Sequence, residues 1–69
     1  MGRHDEAIAD YTQAIALDPA DARAFANRAG AFAAKAQRDR AIADFRAALA
    51  IEPDMTEARD GLTRMGAAP

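Results

Sequence analysis

The side chains in this sequence that could carry out chemistry are few and scattered. His4 is the only histidine and lies near a terminus, no cysteine is present, and no nucleophile or set of residues with metal-ligand spacing accompanies it. Asp10 and Asp44 resemble a pair of catalytic acids, but they occupy equivalent points of a repeated segment, which favours structural partners over catalysts. The four glycines are isolated, so no glycine-rich phosphate loop is present. We therefore expect no enzyme and no catalytic, cofactor-binding or metal site.

The repeated segment is the strongest pattern in the chain. Residues 5–20 read DEAIADYTQAIALDPA, and residues 39–54 read DRAIADFRAALAIEPD, at an offset of 34 residues. Eight of the sixteen aligned positions are identical and four more are conservative changes, with no gap. A fixed period of this length is typical of stacked repeat arrays.

Composition favours an all-α fold. The chain has 69 residues, enough for one small domain, and 51% of them are hydrophobic. Twenty-one of those are alanine, the strongest helix former, and valine is absent. The chain is therefore expected to form closely approaching helices.

Prolines and helix-capping residues divide the sequence into four predicted helices. Pro19 and Pro53 each follow an acidic residue and end a helix, because proline lacks a donor and restricts the residue before it. Asp21 is placed to cap the next helix, and Asp54 with Glu57 resembles a capping box. The short connections require antiparallel neighbours. The predicted helices span about 3–17, 22–35, 38–51 and 55–65, followed by a frayed tail at 66–69.

These residues resemble the tetratricopeptide repeat (TPR) family, whose unit is a 34-residue helix–turn–helix. The likeness rests on three groups of residues: Phe25, Ala29 and Phe32; Ala41, Phe45, Ala48 and Pro53; and Ala7, Tyr11, Ala14 and Pro19. It implies an α-solenoid with one complete unit at 22–55 and a half-repeat on each side. It also implies a C-terminal fragment of a longer array. Abundant alanine and arginine with a single lysine suggest a GC-rich bacterial source.

Two departures from the family pattern concern single residues. Ala36 stands where the family has glycine at the end of a helix, and a left-handed alanine there costs about 1 kcal/mol. Arg28 stands where leucine is common, on the inward side. Because an unpaired buried charge is costly, we predict that Arg28 bonds to Asp10, Asp44 or both.

The fourth helix departs from the pattern along a whole face. Arg59, Thr63 and Gly66 stand where a continuing array would have apolar residues. Its predicted apolar face is narrow: Ala58, Leu62 and Met65. The helix is therefore expected to be a terminal cap with a polar outer side.

The family likeness places a candidate binding site on the second helix. First helices of each unit line the groove that receives partner peptides in this family. In this chain the second predicted helix is the first helix of the complete unit. It supplies a surface that we call the groove stripe: Arg23, Ala26, Asn27, Gly30 and Ala34. Asn27 matches an asparagine of the members that clamp a C-terminal carboxylate, but Glu57 and Gly61 stand where further cations would be needed, so no such clamp is expected. The aromatic residues are expected to be core residues and not a ligand cage: Tyr11, Phe25, Phe32 and Phe45.

A second candidate surface lies on the first helix, which has no helix before it. We call it the first-helix face: Ala7, Ile8, Tyr11, Ala14 and Ile15. An upstream unit of a longer array would cover it, or the chain self-associates through it. The leading hypothesis is a scaffold or adaptor module whose groove binds a protein or peptide. The alternative is a structural element that forms a homo-oligomer.

Charge and hydropathy exclude other partners. The formal charge of −2 and the scattered basic residues do not form a nucleic-acid footprint. No apolar run approaches the roughly 20 residues that span a bilayer, and no signal peptide opens the sequence. We therefore expect no nucleic acid and no membrane, and cytoplasm by default.

Overall fold

The computed structural model describes residues 3–67 as four α-helices. Three or four residues connect each helix to the next, and consecutive helices pack against each other, so they run antiparallel. No strand occurs in residues 3–67. The all-α repeat fold predicted from the sequence is confirmed. The helices are α1 at His4–Leu17, α2 at Ala22–Ala34, α3 at Arg38–Ile51 and α4 at Thr56–Arg64.

The start of α2 is capped as predicted. The Asp21 carboxylate accepts a hydrogen bond of 3.1 Å from the backbone N–H of Ala24, which satisfies one of the four free donors of the first turn. The predicted capping box on α4 is wrong. Met55, and not Asp54, is the N-cap, and no side chain accepts a hydrogen bond there. Met55 is only 6% exposed, so its side chain packs in the core and provides no capping oxygen.

The helices α2 and α4 end in the same backbone motif. Ala36 has a φ of 61° and Gly66 a φ of 73°. After α2, the N–H of Gln37 donates to the carbonyl of Phe32 at 2.9 Å, and after α4 the N–H of Ala67 donates to Leu62 at 2.9 Å. This pattern is a Schellman motif, which favours glycine at the left-handed position. Ala36 is therefore left-handed, which is the condition under which alanine in place of glycine costs about 1 kcal/mol.

The core lies between α2, α3 and α4. Its fully or nearly fully buried residues are Ala22, Ala29, Phe32, Ala41, Phe45, Ala48, Met55, Ala58 and Leu62. Phe25 is half-buried and packs against this cluster, whereas Tyr11 is half-buried on α1. Small side chains let the backbones approach closely, and the aromatic rings fill the remaining spaces. The helix α3 is covered on two sides, by α2 and by α4.

The outer side of α4 is polar. Arg59, Thr63 and Gly66 are all exposed. The N–H of Gly66 and that of Ala67 are both hydrogen-bonded, and Ala67 packs against the core. The first two residues of the tail expected to be frayed are therefore held in place, while Ala68 and Pro69 lie outside the described residues.

Candidate protein-binding surfaces

The groove stripe forms one continuous line on α2. Arg23, Asn27, Gly30 and Ala34 follow each other at helical spacing, and all four are exposed. Ala26 is half-buried beside them and packs against the core. A Cβ built on Gly30 would have no atom within 4 Å. The stripe is thus an open surface of small side chains with two polar groups at its start.

The groove stripe lies beside α4, and an ion pair joins the two helices. Arg23 Nη1 lies 3.5 Å from Glu57 Oε2. The two side chains are 70% and 66% exposed, so water screens the pair and its contribution to stability is below about 1 kcal/mol. Arg23 is thus not an isolated cation: a partner that approaches it also meets Glu57.

Arg28 forms the main polar network of the interior. Its Nε donates to Asp44 Oδ2 at 2.7 Å, and its Nη2 donates to Asp44 Oδ1 at 2.9 Å. Its Nη1 also donates to the hydroxyl of Thr12 at 3.1 Å. The guanidinium lies 5.7 Å from the ring centres of both Phe25 and Phe32. One side chain of α2 therefore connects α1 with α3.

The predicted ion pair of Arg28 is confirmed for Asp44. The Asp44 side chain is 9% exposed and that of Arg28 is 19% exposed. The hydrogen bond to Asp44 raises the pKa of Arg28 above its usual value, against the opposing effect of burial. Asp10, the repeat equivalent of Asp44, is exposed. The arginine thus remains charged, and its charge is matched by only one of the two repeated aspartates.

The first-helix face is incompletely covered. All five of its residues are half-buried, and α1 has no fully buried residue. On α3, the equivalents of Ala7, Tyr11 and Ala14 are between 0% and 7% exposed. The difference arises because α1 packs against α2 alone, whereas α3 packs against α2 and α4. Lys35, at the end of α2, forms an ion pair with Asp5 and holds the start of α1.

The candidate catalytic residues lie in different environments. His4 and Asp10 are exposed on α1, whereas Asp44 is buried on α3 and accepts two hydrogen bonds from Arg28. Among residues 3–67 there is no cluster of three or more histidine, cysteine or acidic residues that could hold a metal ion. None of the four described helices combines the length and the apolar character that a membrane span requires.

Two structural roles were not anticipated from the sequence. Arg38, at the start of α3, donates from Nη2 to the carbonyl of Met65 at 2.6 Å and so satisfies the end of α4. Gly61 is buried against the ring of Phe45, and a Cβ there would lie 2.3 Å from Phe45 Cζ. The sequence signal for the second role was a lone glycine inside a helix, which often marks close packing.

The four packed helices define an α-helical repeat protein. Two family models then match the sequence: one described as TPR repeat over residues 1–36, and one described as tetratricopeptide repeat over residues 22–55. The chain belongs to the tetratricopeptide repeat family. Searches among curated proteins and among solved structures find no match. TPR repeats generally mediate protein–protein interaction and are typically non-catalytic.

Proposed function

We propose that this chain is a scaffold or adaptor module that uses the groove stripe to bind a peptide or helix of a partner protein. The observation that carries the proposal is that four of the five stripe residues are exposed, although the rest of α2 is buried or half-buried. A helix side that only faces water gains nothing from glycine at position 30, which weakens a helix by about 1 kcal/mol relative to alanine. Small residues do benefit a surface that the main chain of a partner must approach closely.

The chemistry of the stripe fits a peptide better than a small molecule. Gly30 and Ala34 leave space for a main chain, and the Asn27 amide can both donate to and accept from a peptide group. The Arg23–Glu57 pair offers both charges at one end. A peptide that brings a carboxylate and an ammonium group to that end can exchange partners with this pair without leaving a charge unpaired.

The test selects peptides from a random library on the immobilised chain and compares their affinities for matched variants. Ala34→Glu places a charge in the stripe, whereas Ala43→Glu makes the same change at an exposed position of α3. Ala34→Glu and the double change Arg23→Ala with Asn27→Ala should each weaken binding about tenfold or more, which corresponds to about 1.4 kcal/mol. Ala43→Glu should bind as the parent does.

Two results would refute this function. One is that selection enriches no peptide above an empty support. The other is that the enriched peptides lose affinity equally for the α2 and α3 variants, which would place the binding elsewhere. Circular dichroism of each variant checks that the helices remain formed, so that a loss of binding is not a loss of fold.

A further inference from the structure

The side of α4 that adjoins the groove stripe continues it with charged residues. Both α2 and α4 run antiparallel to α3, so they run parallel to each other. Arg23 and Glu57 are equivalent positions of the 34-residue repeat, and their side chains lie 3.5 Å apart. Asp60 follows Glu57 by three residues and Arg64 follows Asp60 by four, so these residues share one side of α4, and all are exposed. We call this set the α4 row: Glu57, Asp60 and Arg64.

Charges are unevenly matched along the α4 row. Its start has two carboxylates, Glu57 and Asp60, whereas the adjoining groove stripe has one arginine, Arg23, which pairs with Glu57. Neither Asp60 nor Arg64 forms an ion pair with any residue of the described range 3–67. The repeat equivalent of Arg64 on α2 is Gly30, which has no side chain to match it. The surface therefore presents an unmatched carboxylate and, one helical turn further on, an unmatched cation.

The surroundings strengthen the attraction for a cation at the start of the α4 row. Because consecutive helices are antiparallel, the starts of α2 and α4 lie at the same end of the molecule as the ends of α1 and α3. The segments 17–24 and 51–58 at this end contain one arginine and five carboxylates: Asp18, Asp21, Glu52, Asp54 and Glu57. Their field attracts cationic groups and repels anionic ones, and salt screens it beyond about 10 Å.

We infer that the groove stripe and the α4 row bind an extended peptide in which a lysine or arginine pairs with Asp60 and an acidic residue two positions away pairs with Arg64. This inference rests on the function proposed for the stripe and names the chemistry of its partner. The spacing follows from two dimensions. Four residues of α4 span about 6 Å, and alternate residues of an extended peptide lie about 6.6 Å apart on one side. Gly30 leaves space for the main chain of the peptide beside the row.

Selection from the random peptide library tests the cationic half of this pattern. On the parent chain, lysine and arginine should be enriched about threefold to fivefold at one peptide position, and aspartate and glutamate by a similar factor two positions away. Asp60→Lys should replace the cationic preference with an acidic one. Glu52→Lys makes the same change of charge at the same end of the molecule, but at the exposed end of α3, and should leave the pattern unchanged.

The acidic half of the pattern has its own matched variants. Arg64→Glu should replace the acidic preference with a cationic one, because the peptide carboxylate would then meet a like charge. Arg59→Glu makes the same change on the outer side of α4 and should leave the acidic preference as it is. Circular dichroism of each variant shows whether the helices remain formed.

Affinities of one enriched peptide separate a direct ion pair from a general attraction. Replacing its lysine by glutamine should weaken binding to the parent chain about threefold to fivefold. Asp60→Asn should weaken binding of the lysine peptide by a similar factor. The two changes together should weaken binding no more than either alone, because the two groups act as one pair. Additive effects would show that the peptide cation does not contact Asp60, and would overturn the inference.

Two kinds of result distinguish this inference from the proposed function. The first is a set of enriched peptides that lose affinity for the Ala34→Glu variant but share no charged pattern, or whose pattern changes as much with Glu52→Lys as with Asp60→Lys. That result overturns the inference and leaves the groove stripe as a binding site. The second is that no peptide is enriched above an empty support on any of these chains, which refutes both the inference and the proposed function.

Discussion

Replacement of Arg28 by methionine tests the polar network that joins α1, α2 and α3. Methionine keeps an unbranched stem that can pack beside Phe25 and Phe32, but it removes both hydrogen bonds to Asp44 and the one to Thr12. The Asp44 carboxylate, 9% exposed, is then left without its partner. Breaking a buried pair costs about 3–5 kcal/mol. Because Arg28 is 19% exposed, water can partly replace it, and we expect a loss of about 2–3 kcal/mol.

That loss is large for a domain of this size. A small single core provides only about 3–5 kcal/mol, so Arg28→Met should lower the unfolding midpoint by about 10–20 °C. The assay is urea unfolding followed by circular dichroism at low temperature, where the variant still folds. Arg59→Met, the same change at an exposed site on α4, should shift stability by less than about 0.5 kcal/mol.

The double change Arg28→Met with Asp44→Leu completes the test. With neither charge in the interior, stability should return to within about 1 kcal/mol of the parent, since apolar replacements of buried pairs are often neutral. Leu62, the repeat equivalent of Arg28 on α4, is fully buried and shows that the fold accepts an apolar residue there. If Arg28→Met lowered the free energy of unfolding by less than about 0.5 kcal/mol, the reasoning would be refuted. A double variant whose loss equals the sum of the two single losses would refute it as well.

Three further predictions concern helix ends and close packing. Gly61→Ala should destabilise by about 1–3 kcal/mol, because the new Cβ would meet the Phe45 ring at 2.3 Å; the matched change Gly30→Ala, in open space, should stabilise by about 0.5–1 kcal/mol. Equal midpoints in thermal unfolding would contradict both. Ala36→Gly should stabilise by about 1 kcal/mol, since the φ of 61° suits glycine, and a lower urea midpoint would count against a left-handed residue there. Asp21→Ala should cost about 1 kcal/mol through loss of the N-cap, whereas Asp21→Asn should retain most of the stability in the same urea assay.

The local sequence determined where the helices of this protein begin and end. The prolines at 19 and 53 end helices because their effect on the backbone does not depend on what surrounds them. Asp21 caps α2 because its oxygen reaches an N–H only three residues away. The 34-residue period determined the order of the helices, and the spacing of Ala41, Phe45 and Ala48 identified one buried face, since helical periodicity is a local property.

Tertiary structure decided how each copy of the repeat is used. Nearly the same residues are buried in α3 and half-buried in α1, because burial depends on how many helices pack against each copy. Asp54 and Glu57 satisfied the pattern of a capping box, yet Met55 took the N-cap position because its side chain is buried in the core. Arg28 could have bonded to either repeated aspartate. Only the packing of α2 against α3 placed Asp44 within 2.7 Å of the guanidinium and left Asp10 exposed.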